Sequence, residues 1–417
     1  MEYKLPFNIN YSRYKFIIIT VNYLAIISTM PAQSFGINMF VDHWVKDFNI
    51  SRIDISIVWL IASMLSGFLI ILIGKIIDKI NIKLTISIIY PLYCVSIFLI
   101  SFSSNIIILG ICLSMMRIFG PESIGTITSV VNANWFKDDL GKINSILALL
   151  DTIFIASPSI INFFILNFGW RKTYIYFSII ISCLLFPSLL FMIKNPENYK
   201  LEPNQNNITE SDIEEQCIEE EEDGKSFKIV LRDKIYWLMI LSNFIFGLFW
   251  SGFNLNAVDF FKNIVGFTST ETSIIVFIPI TIGVIIGSIT IGYIIDKSKN
   301  NKKKNIIALD LTLLSICIIW FAFISNMYEI ILLSLIYGIF IGIYITSMAT
   351  IYPNLYGLKE IGSIQSFHNG IVMFSTGLGP LFFNIININQ GSYIYCNFYL
   401  SFILVCISIL ITINKIK

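Results

Sequence analysis

Charged side chains are scarce in this sequence, which excludes an ordinary soluble domain. Asp, Glu, Lys and Arg make up 13% of the 417 residues, whereas soluble domains carry about 25%. Hydrophobic residues make up 56%, and the mean hydropathy is +0.77. Many runs as long as a bilayer-spanning helix, about 20 residues, contain no charge at all. The composition therefore indicates a protein that crosses a membrane many times.

Signatures of catalysis and metal binding are also absent from the sequence. It has no GxxxxGK[ST] run, which excludes a P-loop pump, and no zinc spacing, nucleophile elbow or dinucleotide fingerprint. The seven cysteines fall mostly inside apolar runs without paired spacing, so we expect buried small hydrophobic residues. The net charge of +1 gives no sign of nucleic acid. We expect no enzymatic activity and no cofactor.

The apolar runs predict an all-α membrane protein with twelve transmembrane helices in two six-helix bundles. The first span lacks a small-residue cleavage site, so we interpret it as a helix and not as a signal peptide. The bundles occupy residues 1–194 and 235–417, and an acidic linker at 195–234 is expected to be disordered. The spans are 16–40, 53–74, 84–103, 106–131, 143–166, 172–193, 235–258, 272–295, 305–325, 328–350, 361–386 and 392–414.

Lysine and arginine positions set the expected orientation. Both termini and the even-numbered loops hold 22 of the 28 Lys and Arg residues. The opposite side holds five, and Arg117 lies inside a span. Because basic residues favour the cytosolic side, we expect both termini in the cytosol, in either the plasma membrane or an organelle membrane.

One charged pattern occurs twice, between the second and third spans of each half. Residues 74–83 read GKIIDKINIK and residues 292–301 read GYIIDKSKNN. An aspartate at a helix end can pair with cations of a neighbouring helix and so hold one conformational state, whereas the lysines alone would anchor the cytosolic side. The repeat favours such a latch in two related halves. Its residues are Gly74, Asp78, Lys79, Gly292, Asp296 and Lys297.

This repeated pattern resembles the loop motif of the major facilitator superfamily. Arg117-Ile-Phe-Gly120 with Gly125 resembles the family's arginine motif in the fourth helix. The run Asn134-Trp135-Phe136 and the run Gly169-Trp170-Arg171 are similar to the branch of monocarboxylate and oxalate/formate-type transporters. The resemblance implies transport of a small solute by alternating access. It also implies a monomer embedded in the lipid bilayer.

The sequence departs from the oxalate/formate pattern at two positions. Members of that branch hold a dicarboxylate with one cation in the eighth helix and one in the eleventh. Here the corresponding positions are Ser288 and His368. The resemblance therefore favours a monocarboxylate or related organic anion over a dicarboxylate.

Ionisable residues inside the spans are candidate functional groups, because such groups are costly in lipid. Arg117 needs an acceptor, and both Asp151 and Glu122 are candidates. Asp151 is either a static ion-pair partner or a proton carrier. His368 is a proton switch, an anion ligand or a hydrogen-bonded structural residue. Protons are thus the leading candidate for a coupling partner.

Polar and aromatic residues on the predicted cavity helices complete the candidate set. Gln33 lies beside the helix breakers Pro31 and Gly36 in the first span. The others are Trp250 and Asn254 in the seventh span, Tyr344 in the tenth and Gln365 in the eleventh. Amino acids, sugars and drug-like compounds remain alternative solutes. A receptor on a transporter fold remains an alternative from another functional class, and concentrative uptake of a solute would separate a carrier from a receptor or a channel.

Overall fold

The structure, a computed structural model, describes residues 11–79, 82–135, 152–191, 225–296, 300–324, 326–356 and 361–414. Within these ranges the regular elements are all helices, and no strand occurs. Nine described helical stretches are long and apolar enough to cross a membrane, and two apolar helices are shorter. The all-α membrane fold predicted from the sequence is therefore confirmed. The chain divides into two compact units, Met1–Pro203 and Asn204–Lys417.

In the N-terminal unit, several predicted spans consist of two helical segments each. The described helices are α1 (Tyr11–Ile27), α2 (Ser34–Phe48), α3 (Arg52–Lys79), α4 (Ile82–Ile100), α5 (Ile106–Arg117), α6 (Ser123–Trp135), α7 (Ser157–Phe168) and α8 (Trp170–Phe191). Residues 143–151, the first part of the predicted fifth span, lie outside the described residues. Helix α4 packs against α8, α3 against α5, and α1 against α6 and α8.

The first span is interrupted at Pro31, one of the two helix breakers that the sequence places there. A 3-10 turn at Met30–Ala32 separates α1 from α2, and Pro31 lacks the N–H that would continue an α-helix. A Cβ at Gly36 would lie 2.5 Å from a carbonyl oxygen of this turn. The Tyr93 hydroxyl donates to the freed Ser28 carbonyl at 2.8 Å. The break thus keeps a hydrogen bond inside the apolar interior.

The fourth span is also interrupted, at a position where the sequence predicted a continuous helix. A wide π-type turn at Ile118–Glu122 joins α5 to α6, and Gly120 within it has ψ −107°. Pro121 follows and cannot donate a helical hydrogen bond. A Cβ at Gly120 would lie 2.5 Å from the ring of Tyr93. Tyr93 therefore contacts the breaks of both the first and the fourth span.

The Gly-Trp-Arg run forms the turn between α7 and α8. Gly169 has a φ of 76°, in the left-handed region that favours glycine. The indole N–H of Trp170 donates to the Asp47 carboxylate at 2.8 Å. The Arg171 guanidinium donates to two carbonyls that follow α4, of which Ser103 is the nearer at 2.7 Å. This run therefore joins three helix ends on one side of the unit.

The C-terminal unit is built from long helices with few interruptions. The described helices are α9 (Phe227–Val230), α10 (Lys234–Val265), α11 (Ser269–Thr272), α12 (Ile278–Asp296), α13 (Asn300–Trp320), α14 (Met327–Tyr356), α15 (Ile361–Gln390) and α16 (Ile394–Ile413). Helix α10 packs against α15 and α16, α12 against α14, and α13 against α14 and α16. A π-type turn at Ser273–Phe277 connects α11 to α12.

The last residues of the predicted acidic linker are folded. Residues 225–234 are described and contain the short helix α9. The Lys225 N–H donates to the Tyr356 carbonyl at 2.8 Å, and Asp233 caps the start of α10. Apolar and polar contacts to α14 and α15 order this part of the chain. Residues 195–224 lie outside the described part.

Helices α12 and α14 approach each other closely through small residues. A Cβ at Gly287 would lie 2.0 Å from the Ile339 carbonyl oxygen, and one at Gly342 would lie 2.2 Å from the Val284 carbonyl oxygen. Small residues at a four-residue spacing permit such contact in membranes, where dispersion replaces the hydrophobic effect as the main attraction. The Ser288 hydroxyl donates across this contact to the Gly342 carbonyl at 3.3 Å.

Cysteine burial is only partly as predicted. Cys112, Cys317 and Cys396 are buried, Cys94 and Cys406 are half-buried, and Cys183 is exposed on α8. An apolar helix can expose a cysteine to lipid at little cost, so burial inside protein does not follow from an apolar surrounding sequence.

The α12–α14 contact generates a stability prediction. Gly287→Ala should lower the free energy of unfolding by roughly 1–3 kcal/mol, because the added methyl group forces the two backbones apart. The measurement is the thermal unfolding midpoint of the purified protein in detergent. Gly370→Ala on α15 is the matched control, because its Cβ meets nothing within 4 Å. An equal midpoint for Gly287→Ala and the wild type would contradict the described packing.

Candidate functional site

A cavity of about 390 Å³ lies among α10, α14 and α15 of the C-terminal unit. Sites for small organic ligands commonly have volumes of ~300–1,000 Å³. The lining combines aromatic, aliphatic, amide and imidazole groups and includes no Asp, Glu, Lys or Arg among the described residues. It includes Asn243, Phe246, Tyr344, Met348, Tyr352, His368 and Asn369.

Two buried polar groups face this cavity without a described protein partner. The Nε2 atom of His368 and the hydroxyl of Tyr352 have no hydrogen-bond partner among the described residues. His368 is 8% exposed and Tyr352 is 1% exposed, and their ring centroids lie 5.1 Å apart. Because buried polar groups are rarely left unbonded, these two atoms are candidate contacts for a ligand.

Tyr344 forms a fixed part of the cavity wall. Its hydroxyl lies 3.0 Å from the Ser242 hydroxyl. Ser242 uses its own hydrogen to reach the Met239 carbonyl at 2.8 Å, so Tyr344 is the donor between the two hydroxyls. The Tyr344 ring also packs on Phe246, with centroids 4.7 Å apart. These contacts hold the tyrosine in one orientation.

The other candidates from the C-terminal half lie outside the lining. Trp250 is half-buried and stacks on Phe246 at 6.1 Å, one side chain away from the cavity. Asn254 is fully buried, and neither of its amide atoms has a hydrogen-bond partner among the described residues. The side chain of Gln365 lies outside the described part. The structure therefore brings together Tyr344 and His368 from this predicted set.

The lining residues that were not predicted from the sequence include the polar Asn243 and Tyr352. Both lie in predominantly apolar helices, where the sequence hardly indicates which face points inward. Tyr352 stands eight residues after Tyr344, which is two turns plus about 80°, so both fit within one broad face of a helix. That spacing was the available signal.

Arg117, in the N-terminal unit, has two described contacts. The residue is 6% exposed, and its guanidinium lies 3.6 Å from the Glu122 carboxylate. The guanidinium also lies over the Trp59 ring, 4.6 Å from the centroid. The π-type turn widens the helix and brings the fifth residue after Arg117 back toward its face. Glu122 is therefore an acidic partner of Arg117, while Asp151 lies outside the described residues.

Gln33 and the latch residues stand at helix ends. Gln33 stands at the break between α1 and α2 and is half-buried. Gly74, Asp78 and Lys79 form the last turns of α3, and Gly292 and Asp296 end α12. The side chains of Asp78, Lys79 and Asp296 lie outside the described part of the structure, and so does the whole of Lys297. Both copies of the motif thus stand at corresponding helix ends.

Comparison with known families agrees with this arrangement. The model of the Major Facilitator Superfamily matches residues 17–380. The chain belongs to the major facilitator superfamily. No curated protein matches the sequence. Membership makes the chain an integral, multi-pass membrane protein and a secondary transporter of a small solute.

In this superfamily member, the Arg117–Glu122 contact predicts a specific mutational pattern. Arg117→Gln and Glu122→Gln should each lower stability, because breaking a buried pair leaves one charge uncompensated, at a cost of about 3–5 kcal/mol. The double variant should lose less than the sum of the two single losses. Thermal unfolding of the four purified proteins measures this. Additive losses would show that the pair does not interact, and Asp151 would become the candidate partner.

Proposed function

We propose that this chain is a secondary active transporter of a monocarboxylate or related organic anion. It works by alternating access, with a proton as the coupled ion. The observation that carries the proposal is the pair of buried, unsatisfied polar groups, His368 Nε2 and the Tyr352 hydroxyl, in a cavity of about 390 Å³. The family resemblance to monocarboxylate transporters supports the same solute class.

A single carboxylate suits this pair of groups. A carboxylate accepts several hydrogen bonds and donates none. The Tyr352 hydroxyl can donate one, and His368 can donate a second from Nε2 when that nitrogen carries a proton. Hydrogen bonds to an ionised group are stronger than those between neutral groups. The aromatic and aliphatic lining then accommodates a short apolar tail.

A dicarboxylate suits the cavity less well. It would require a second cation to balance the second charge, and the described lining offers none. The Ser288 hydroxyl, at the position where related transporters carry a cation, is instead directed to the Gly342 carbonyl. The chemistry of the lining therefore favours one negative charge per solute.

The same site also contains the group that we propose for proton coupling, the imidazole of His368. A protonated His368 would donate from both ring nitrogens and bear the charge that offsets the carboxylate. Loss of that proton would weaken solute binding. Asp151, which lies outside the described residues, remains the second candidate for carrying a proton.

The proposal predicts the effect of replacing the cavity histidine. His368→Gln should raise the half-saturating concentration for uptake about tenfold or more, because a hydrogen bond to a charged group contributes about 1.5–3 kcal/mol. The measurement is uptake of labelled monocarboxylates, amino acids and sugars into proteoliposomes, with and without a pH gradient. His43→Gln is the matched control, since His43 is the chain's other histidine.

The uptake screen also separates the alternatives. Accumulation of a monocarboxylate above its external concentration supports the carrier proposed here. Uptake of only amino acids or sugars would overturn the solute class, and binding without any uptake would favour a receptor.

We propose that Asp78 and Asp296 act as the latch that holds one transport state. Asp78→Asn and Asp296→Asn should insert normally and bind solute with unchanged affinity, yet exchange it more slowly, because the latched state would lose its charged contact. Counterflow rates in proteoliposomes measure exchange, and equilibrium binding in detergent measures affinity. Exchange at the wild-type rate in both variants would show that these are ordinary solvated charges.

A further inference from the structure

A buried carboxylate outside the cavity has no assigned role. Asp310 lies in the middle of α13, in the run IIALDLTLLS, and is 3% exposed. Neither of its carboxylate oxygens has a hydrogen-bond partner among the described residues. An ionised carboxylate in such surroundings is costly unless it is paired. A group of this kind inside a membrane helix is a candidate functional site.

One face of α13 is bonded to α16. Lys304 donates to the carbonyls of Thr412 and Asn414, and the Ser408 hydroxyl donates to the Ala308 carbonyl at 2.5 Å. Thr312 continues the same face, with its hydroxyl 2.8 Å from that of Ser408.

Asp310 lies on the opposite side of α13. It stands two residues from both Ala308 and Thr312, and two residues turn a helix by about 200°. Since those two residues contact α16, the Asp310 side chain is directed away from α16.

The position of Phe321 shows what Asp310 faces. Phe321 directly follows α13, and its N–H still donates to the Cys317 carbonyl at 3.1 Å, as in a helix. Eleven residues turn a helix by three turns plus about 20°, so Asp310 and Phe321 lie on one line. The Phe321 ring lies 5.4 Å from the ring of Tyr337 on α14 and 5.4 Å from that of Phe253 on α10. The line that carries Asp310 therefore faces α14 and the interior of the unit.

Asp310 lies at the level of the cavity wall. Helices α13 and α14 are joined by a short connection and run antiparallel, and the contact between Phe321 and Tyr337 fixes their relative level. Asp310 lies eleven residues before Phe321, so it stands level with the residue eleven positions after Tyr337. That position is Met348, which lines the cavity, and Tyr344 lies one turn before it. Tyr344 stands seven residues after Tyr337, which is almost two full turns, so it lies on the line of α14 that faces α13. Tyr344 thus stands between the buried carboxylate and the cavity.

We propose that Asp310 is a proton-binding site that acts on the solute cavity through Tyr344. In the conformation described here, the carboxyl group holds a proton and is neutral. In the other transport state it releases that proton to water. The step forms or breaks one O–H bond at Asp310, the proton is exchanged with water, and no other reactant is needed.

The surroundings of Asp310 leave few other groups that titrate. Among the described residues, Cys317 lies seven residues on along the same line of α13, and Tyr344 lies at the same level on α14. Lys304 is bonded on the α16 side of the helix. A negative charge at Asp310 would act directly on the Tyr344 hydroxyl and on its bond to Ser242. Protonation would therefore change the cavity wall without Asp310 touching the solute.

The first test needs no solute. Infrared spectra of the purified protein at neutral pH should show the carbonyl band of a protonated carboxylic acid that disappears in Asp310→Asn. Asp310→Glu, which keeps the acid, should retain a shifted band. An unchanged carbonyl region in Asp310→Asn would overturn the proposal. If Asp310→Asn fails to fold, the absence of a shifted band in Asp310→Glu would overturn it equally.

The second test rests on the proposed function and uses labelled lactate and pyruvate in proteoliposomes. Asp310→Asn should retain exchange of solute between the two sides but lose accumulation driven by a pH gradient. Accumulation at the wild-type level would overturn a coupling role for Asp310. If neither compound is taken up by the wild type, the solute class is wrong, while the infrared result still decides whether Asp310 binds a proton.

Discussion

A polar group inside a membrane helix has no water to bond, so it needs a partner within the protein or from a ligand. This constraint determines most of the structure. The main-chain groups are satisfied by helices, and where a helix breaks a side chain takes over. Tyr93 is the clearest case, because its hydroxyl bonds the carbonyl freed at the first break while its ring packs on Gly120 at the second.

The same constraint identifies the functional groups of the two units. In the N-terminal unit the buried cation Arg117 has both an acid and an aromatic ring as described neighbours, and both offset its charge. In the C-terminal unit His368, Tyr352 and Asp310 are buried with unbonded atoms among the described residues. Because His368 and Tyr352 line a cavity and Asp310 is an ionisable group inside a membrane helix, these three are the candidate contacts for a solute or a proton.

The spans were predictable because an uncharged apolar run of bilayer length is rarely anything other than a membrane-spanning helix. The break at Pro31 was also indicated, since proline cannot continue the helical hydrogen bonds. The inward faces were less predictable, because lipid and protein interior are equally apolar and so a helix shows little amphipathic pattern. Tyr352 was missed for this reason. Asp310 was missed because one acid hardly lowers the mean hydropathy of a span, although it is the only acid in IIALDLTLLS.

The central claim is that the solute binds in the C-terminal cavity at His368 and Tyr352. The most direct test is a cryo-electron microscopy map of the protein with its transported solute bound. The account predicts solute density within hydrogen-bond distance of the His368 Nε2 atom and the Tyr352 hydroxyl. Solute density seated elsewhere, for example against Arg117 and Glu122 with none at His368, would contradict it.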